Sequence, residues 1–241
     1  MIVTGLYSLG YAVPTAITIF GSDNYWPISW LDENQQAKGL AIDAAEFVQK
    51  DTGIKITIEL VPWNRAFKMA QHGSGGIVGL SKTSEREAIF DYSKVFHDSG
   101  VYLVVNKNRP LQVKSIDDLQ GKKIGALIGV SYGPAIDLAI KKGQFQAIRD
   151  VSNTARLKNL LHGRIDGAFM ANVDTELPRY LAADPELAAN ANAFVVLKNQ
   201  LAEDPVFVAF RKGGLDDATR DKLFQSFEKW SKLRESRKAS K

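Results

Sequence analysis

The chain has 241 residues, 45% of them hydrophobic and 24% charged, with a formal net charge of +4 and no cysteine. It is long enough for one large domain or two lobes of ordinary size, and its composition excludes a disordered or fibrous chain. The missing cysteines exclude disulfides, thiolate metal sites and a lipidated N-terminal cysteine. The basic residues are spread along the chain apart from the final run KWSKLRESRKASK, which argues against nucleic acid as a partner.

In chain order, residues 1–16, MIVTGLYSLGYAVPTA, are apolar and rich in small residues. They read as the remnant of a secretory leader, with Gly10 and Ala12 forming a small-x-small cleavage site, or as a disordered N-terminus, and they are too short to span a membrane. ITIFG (17–21) predicts a strand, GLAIDAAEFVQKDT (39–52) an amphipathic helix closed by Gly53, and IKITIELV (54–61) an alternating strand. WNRAFKMAQH (63–72) predicts a second helix ended by Gly73, and the apolar run GIVGL follows as a strand. Strand, helix, strand, helix, strand is the order of a parallel sheet with helices on both faces.

The same order returns further along. KKIGALIG (122–129) predicts a strand and PAIDLAIKK (134–142) a helix opened by Pro134 and stopped by Gly143. A strand near 145–151, a helix TARLKNLLH (154–162) and a strand IDGAFM (165–170) complete the unit. Even the punctuation repeats, AQHGSGGIVG in the first half matching LLHGRIDGAF in the second, which argues for two similar lobes. Extended runs at 100–108, 193–199 and 205–213 would carry the chain between them as a hinge, and an amphipathic helix follows from about Asp216 to Leu233. A ligand would sit in the cleft, at the carboxyl ends of the strands.

GLSKTSEREAIFDYS (79–93) lies at such an end. Thr83 is a good N-cap for a helix starting at Ser84, Arg86 offers a planar fork for a carboxylate, and Ser81 and Gly79 stand where the strand finishes. The bland alternative is that Thr83 only caps and Arg86 pairs with a surface glutamate. The aromatics Tyr25, Trp26 and Trp30 follow the first strand on the same edge and could sandwich a ligand's hydrocarbon part, or belong to the core; Trp63, beside Pro62, reads as core. In the second half, Ser131 in GVSYGP and the polar residues Asn172, Asp174 and Glu176 in FMANVDTE occupy the equivalent loops. The histidines His72, His97 and His162 show no metal-ligand spacing, and neither a metal nor a cofactor is expected.

The order and spacing of SDNYWPISWLDENQQAKGLAIDAAEFVQKDTG, VPWNRAFKMAQHG, GLSKTSEREAIFDYS, LQGKKIGALIGVSYG, LLHGRIDGAF and PVFVAFRKG, from about Ile17 to Trp230, resemble the periplasmic solute-binding proteins of ABC importers, family 3. The resemblance implies an α/β fold of two lobes, each a mostly parallel sheet flanked by helices, joined by a two-strand hinge. Lobe 1 is expected over 17–103 and 200–235, lobe 2 over 104–199, with a basic tail at 236–241. It also implies a ligand carboxylate held by Arg86 with Ser81 and Ser131, aromatics packed on the ligand, a periplasmic monomer and an ABC permease as partner.

Two positions depart from the family pattern. The acidic residue expected to meet an α-ammonium is Ala171, so a neighbour such as Asn172 or Asp174 replaces it or the ligand lacks that amine; the aspartate of the first-lobe turn is Gly76. A binding protein rather than an enzyme is expected. The alternatives are a dehydratase of the cyclohexadienyl type on the same fold, with Asp174, Glu176 or His97 as its acid, or a sensor without a transporter.

Overall fold

The protein is described by a computed structural model over residues 16–239. The first part of the chain forms β1 (Ala16–Ser22), the short strands β2 (Asn24–Tyr25), β3 (Ser29–Leu31) and β4 (Ala37–Lys38), α1 (Leu40–Thr52), β5 (Lys55–Val61), α2 (Trp63–Gln71), β6 (Gly76–Ser81), the single turn α3 (Ser84–Glu87) and the long strand β7 (Phe90–Asn106). The second forms β8 (Lys123–Leu127), α4 (Pro134–Lys141), β9 (Gln146–Asp150), α5 (Asn153–Leu161), β10 (Gly167–Ala171), α6 (Val173–Ala183), α7 (Pro185–Ala189) and β11 (Phe194–Val196). The chain then returns through β12 (Ala202–Arg211) and ends in α8 (Asp217–Ala239).

Local signals placed most of these elements. Gly53 closes α1 at φ 76°, Thr83 accepts a hydrogen bond from Arg86 N at the start of α3, and Ser152 caps α5 in the same way. The repeat seen in the sequence is a repeated helix stop. Gly73 N and Ser74 N donate to Ala70 O and Met69 O, and Gly163 N and Arg164 N donate to Leu160 O and Asn159 O, the same two-bond cap at the ends of α2 and α5.

In the first lobe β5, β1 and β6 are parallel, and β12 and β7 add to them antiparallel; in the second, β9, β8 and β10 are parallel and β7 and β11 close the sheet antiparallel. Because β7 and β12 run through both lobes, the nine strands form one continuous sheet. Phe96 and Val206 lie in the first core with Ile19, Leu223 and Trp230, whereas Val101, Leu103 and the flanking Leu201 and Ala202 pack in the second with Ile124 and Phe169. The crossing is therefore the paired segment in which His97, Asp98, Ser99 and Gly100 face Val206, Pro205, Asp204 and Glu203, with a register shift beside Val206.

Four differences from the sequence reading stand out. The aromatic segment after β1 is not a free loop but the three-stranded sheet β2–β3–β4. The segment after β10, read as a loop, is the helix α6. The extended run 193–199 shrinks to three strand residues, and α8 runs on to Ala239, so residues 236–239 are helix rather than a separate tail. Residues 1–15 of the proposed leader lie outside the described residues, and Ala16 opens β1. Among the described residues no helix is long and apolar enough to cross a membrane.

Candidate functional site

The carboxyl ends of β1 and β6 from one lobe face the β8–α4 loop and the end of β10 from the other across a cavity of about 110 Å³. The lobes touch around it. Trp63 Nε1 and Arg86 Nη2 donate to Gly129 O at 3.1 and 3.2 Å, and Trp26 N donates to Glu176 Oε1 at 2.5 Å. The arrangement is closed.

Of the residues expected from sequence, Ser81, Gly79, Arg86, Tyr25 and Ser131 line this cavity. Arg86 is half-buried with its guanidinium 5.2 Å over the Phe67 ring, and Nη1 donates to Ser81 O at 3.1 Å. Among the described residues it has no carboxylate at ion-pair distance, and burial presses its pKa down. Gly79 adopts φ +80°, and a Cβ there would lie 3.2 Å from the Tyr25 ring, so glycine is what lets that ring pack on β6. Tyr25 Oη meets Ser99 Oγ at 3.0 Å. Ser131 Oγ is already committed, donating to Asp137 Oδ2 at 2.5 Å.

The other expected residues stand elsewhere. Thr83 only caps, and the single turn it caps is too short for a sizeable dipole, so any pull on an anion comes from Arg86 itself. Trp26 and Trp30 pack against each other with centroids 4.1 Å apart and planes tilted by 32°, and Arg179 lies 4.9 and 5.8 Å over their rings, which engages both indoles outside the cavity. Asp174 is exposed on α6. Asn172, at φ 48°, braces the crossing: its Nδ2 donates to Ser99 Oγ at 3.1 Å and its Oδ1 meets His97 Nε2 at 3.1 Å. Arg234 Nη2 donates to His97 Nδ1 at 3.1 Å, so Nε2 carries the proton. Trp63, read as core, packs against the cluster of Phe20, Ile77 and Phe90 and also lines the cavity.

Glu176, one of the polar loop candidates, also lines the cavity at 4% exposed, together with two charged residues that sequence reasoning did not place there, Arg156 and Asp204, which are 2% and 4% exposed. Arg156 Nη1 donates to Tyr132 Oη at 2.6 Å and Nη2 donates to Asn153 Oδ1, while Nε has no partner among the described residues. Burial pushes the Glu176 carboxyl up to about 7, against the hydrogen bonds from Tyr180 and Trp26. Burial likewise pushes Asp204 to about 7, opposed by the Ser81 hydroxyl and the Arg86 charge. The signals for Arg156 and Asp204 were faint: Arg156 shares an apolar stripe with Leu160, and Asp204 interrupts an apolar strand. Among the described residues no group of histidines and carboxylates is placed to hold a metal ion.

A cavity lined by the Arg86 guanidinium, several hydroxyls and two buried carboxyls can hold a small polar solute by both signs of charge. The comparisons agree with that architecture. Residues 17–232 match the bacterial extracellular solute-binding proteins, family 3. The probable amino-acid-binding protein YxeM of Bacillus subtilis (strain 168) is 25% identical over 162 residues, which are 64% of this chain and 61% of that protein's length. An ancestral arginine-binding protein bound to arginine superposes with a TM-score of 0.73 at 22% identity, covering 92% of this chain and 94% of that one. The ancestral amino-acid-binding protein AncCDT-1, a precursor of cyclohexadienyl dehydratase, superposes at 0.66 and 22% identity over 92% of this chain and 90% of that one. At these identities the two structures establish the fold.

Proposed function

The chain belongs to the bacterial extracellular solute-binding proteins of family 3, and on that premise we propose that it closes its lobes on a small carboxylate-bearing solute, an amino acid or related organic acid, outside the cytoplasm and delivers it to an ABC-type permease. Arg86 carries this reading. Its guanidinium lines the cavity and donates to the main-chain carbonyls of Ser81 and Gly129, and among the described residues no carboxylate stands at ion-pair distance from it. A carboxylate would replace these contacts with two charge-assisted hydrogen bonds. Ser81, Tyr25 and Trp63 complete that end of the cavity, and the lobes turn about the crossing at residues 97–100 and 203–206.

The test is a thermal-shift screen with small amino and organic acids. A ligand at about a hundred times its Kd adds about 2.7 kcal/mol to stability. Arg86→Ala should weaken binding by about a hundredfold or more, two charge-assisted bonds being lost, and so remove most of the shift. An undiminished shift in the variant would defeat the assignment.

Glu176 favours a second reading. A buried carboxyl with a pKa of about 7 has the form a general acid needs, as a dehydratase would require. The size of the cavity weighs against it. A cavity of 150 Å³ holds roughly one benzene ring, and about 110 Å³ leaves no room for a ring bearing two carboxylated arms. Incubation with prephenate is expected to yield no phenylpyruvate; turnover abolished by Glu176→Gln would establish catalysis.

A further inference from the structure

We infer that Asp204 is the acceptor for an ammonium group on the solute, which makes the solute class a short-chain α-amino acid. The inference rests on the reading of Arg86 as the carboxylate anchor. Ala171, where that acceptor was expected, presents only a methyl group to the cavity, and neither Asn172 nor Asp174 lines it.

Two carboxyls remain. Glu176 has partners, with Oε1 accepting from Trp26 N and the carboxyl hydrogen-bonded by Tyr180. Asp204 is 4% exposed, and its Oδ1 has no hydrogen-bond partner among the described residues. Asp204 lines the cavity, and beyond the Ser81 hydrogen bond its unpaired buried oxygen carries a desolvation penalty that an ammonium reaching it removes.

Position supports the pairing. Asp204 sits opposite Ser99 in the crossing, and Val206, two residues on and on the same face of β12, sits opposite Ser81. Asp204 therefore lies beside the serine whose carbonyl Arg86 contacts, near enough for the Arg86 charge to act on it. Acceptor and anchor thus stand side by side, matching a ligand whose ammonium and carboxylate share one carbon. A cavity of about 110 Å³ is smaller than the 150 Å³ one that holds the six ring atoms of benzene and so has room for about five non-hydrogen atoms, which is the size of glycine and restricts such a ligand to the smallest side chains.

The charged and titratable groups around Asp204 are Arg86 on α3, Ser81 on β6, Asp98 on β7, Asp137 on α4 and Tyr25 on β2. With its pKa raised to about 7, the carboxyl must give up its proton to receive an ammonium, so binding an amine strengthens as pH rises toward and past 7.

The experiment is calorimetric titration of native protein with three isosteric pairs, glycine and glycolate, L-alanine and L-lactate, and L-serine and L-glycerate. At least one amino acid is expected to bind more tightly than its hydroxy partner by about tenfold or more, the penalty for leaving a buried polar group unpaired. That amino acid, unlike the hydroxy acid, should bind more tightly at pH 8 than at pH 6. Asp204→Asn should erase the preference by weakening the amino acid while leaving the hydroxy acid within about threefold. If the variant does not fold, the pH difference measured in Glu176→Gln decides, because that variant removes the other carboxyl of the cavity that titrates near 7: its persistence supports Asp204, and its loss overturns the role of Asp204. Equal affinity within every pair, with binding still abolished by Arg86→Ala, overturns the role of Asp204 and leaves the carboxylate site standing. Binding that ignores Arg86 overturns the underlying reading, and a protein that binds none of the six overturns the assigned class.

Discussion

Asp204 and Glu176 lie in the same cavity, and for both the largest influence on the carboxyl is burial rather than a neighbouring charge. Each folded pKa stands near 7, above unfolded values of roughly 4. The folded protein therefore holds protons that the unfolded chain releases between about pH 4 and 7, and stability falls across that window as pH rises. Each group contributes on the order of 4 kcal/mol to that fall. Asp204→Asn should flatten it: ligand-free, the variant gains stability over the native protein at pH 8 and gains little at pH 4.5, as read from urea unfolding midpoints. Identical slopes would show that Asp204 ionises freely in the fold.

Arg86 was legible at this scale because a strand end, a cap and a fork came together in eight residues. Arg156 and Asp204 were not, since a helical or extended period marks which face a residue occupies and says nothing of which face borders a cavity. The cavity face of Trp63 was missed for the same reason: Pro62 marks a helix start and its ring packs on the first-lobe core, but the lobe that comes to stand across from it is far away in the sequence.

Among the elements, α6 shows packing overriding local preference. Pro178 lies inside it, a placement that costs roughly 3 kcal/mol in a helix interior. Yet Val173, Leu177 and Tyr180 repeat along one face and are all buried in the second lobe. Reading the polar NVDTE as a loop missed that stripe. The β8–α4 loop carries a different constraint. Gly129 adopts φ +73°, and a Cβ there would stand 2.4 Å from Asn64 Oδ1 on the opposite lobe. Gly129→Ala should therefore obstruct closure rather than folding, lowering affinity for the best ligand by about tenfold while costing about 1–3 kcal/mol in backbone strain. Asn64→Ala in the same background should restore part of the affinity, measured by calorimetry. No recovery would mean that strain within the loop, not contact between lobes, limits binding.

At the scale of the molecule, two α/β units share strands β7 and β12, and the hydrogen bonds linking Arg234, His97, Asn172, Ser99 and Tyr25 run from α8 through the crossing to the cavity wall. The two-lobed plan was legible because each unit repeats its order of elements and its helix stop. The closed contact was not, because it depends on pairs such as Trp26 with Glu176 and Trp63 with Gly129 that no periodicity relates. The central claim is that a carboxylate held at Arg86 draws these units together. The absence of native cysteine allows two unique spin labels, at Lys68→Cys on α2 and Lys141→Cys on α4, helices that flank one groove at the cleft mouth. Pulsed electron-spin distance measurement should show the label separation shorten and narrow on saturation with the tightest-binding carboxylate, and show no such change when Arg86→Ala is added. An unchanged distance distribution in the saturated native protein would contradict the account.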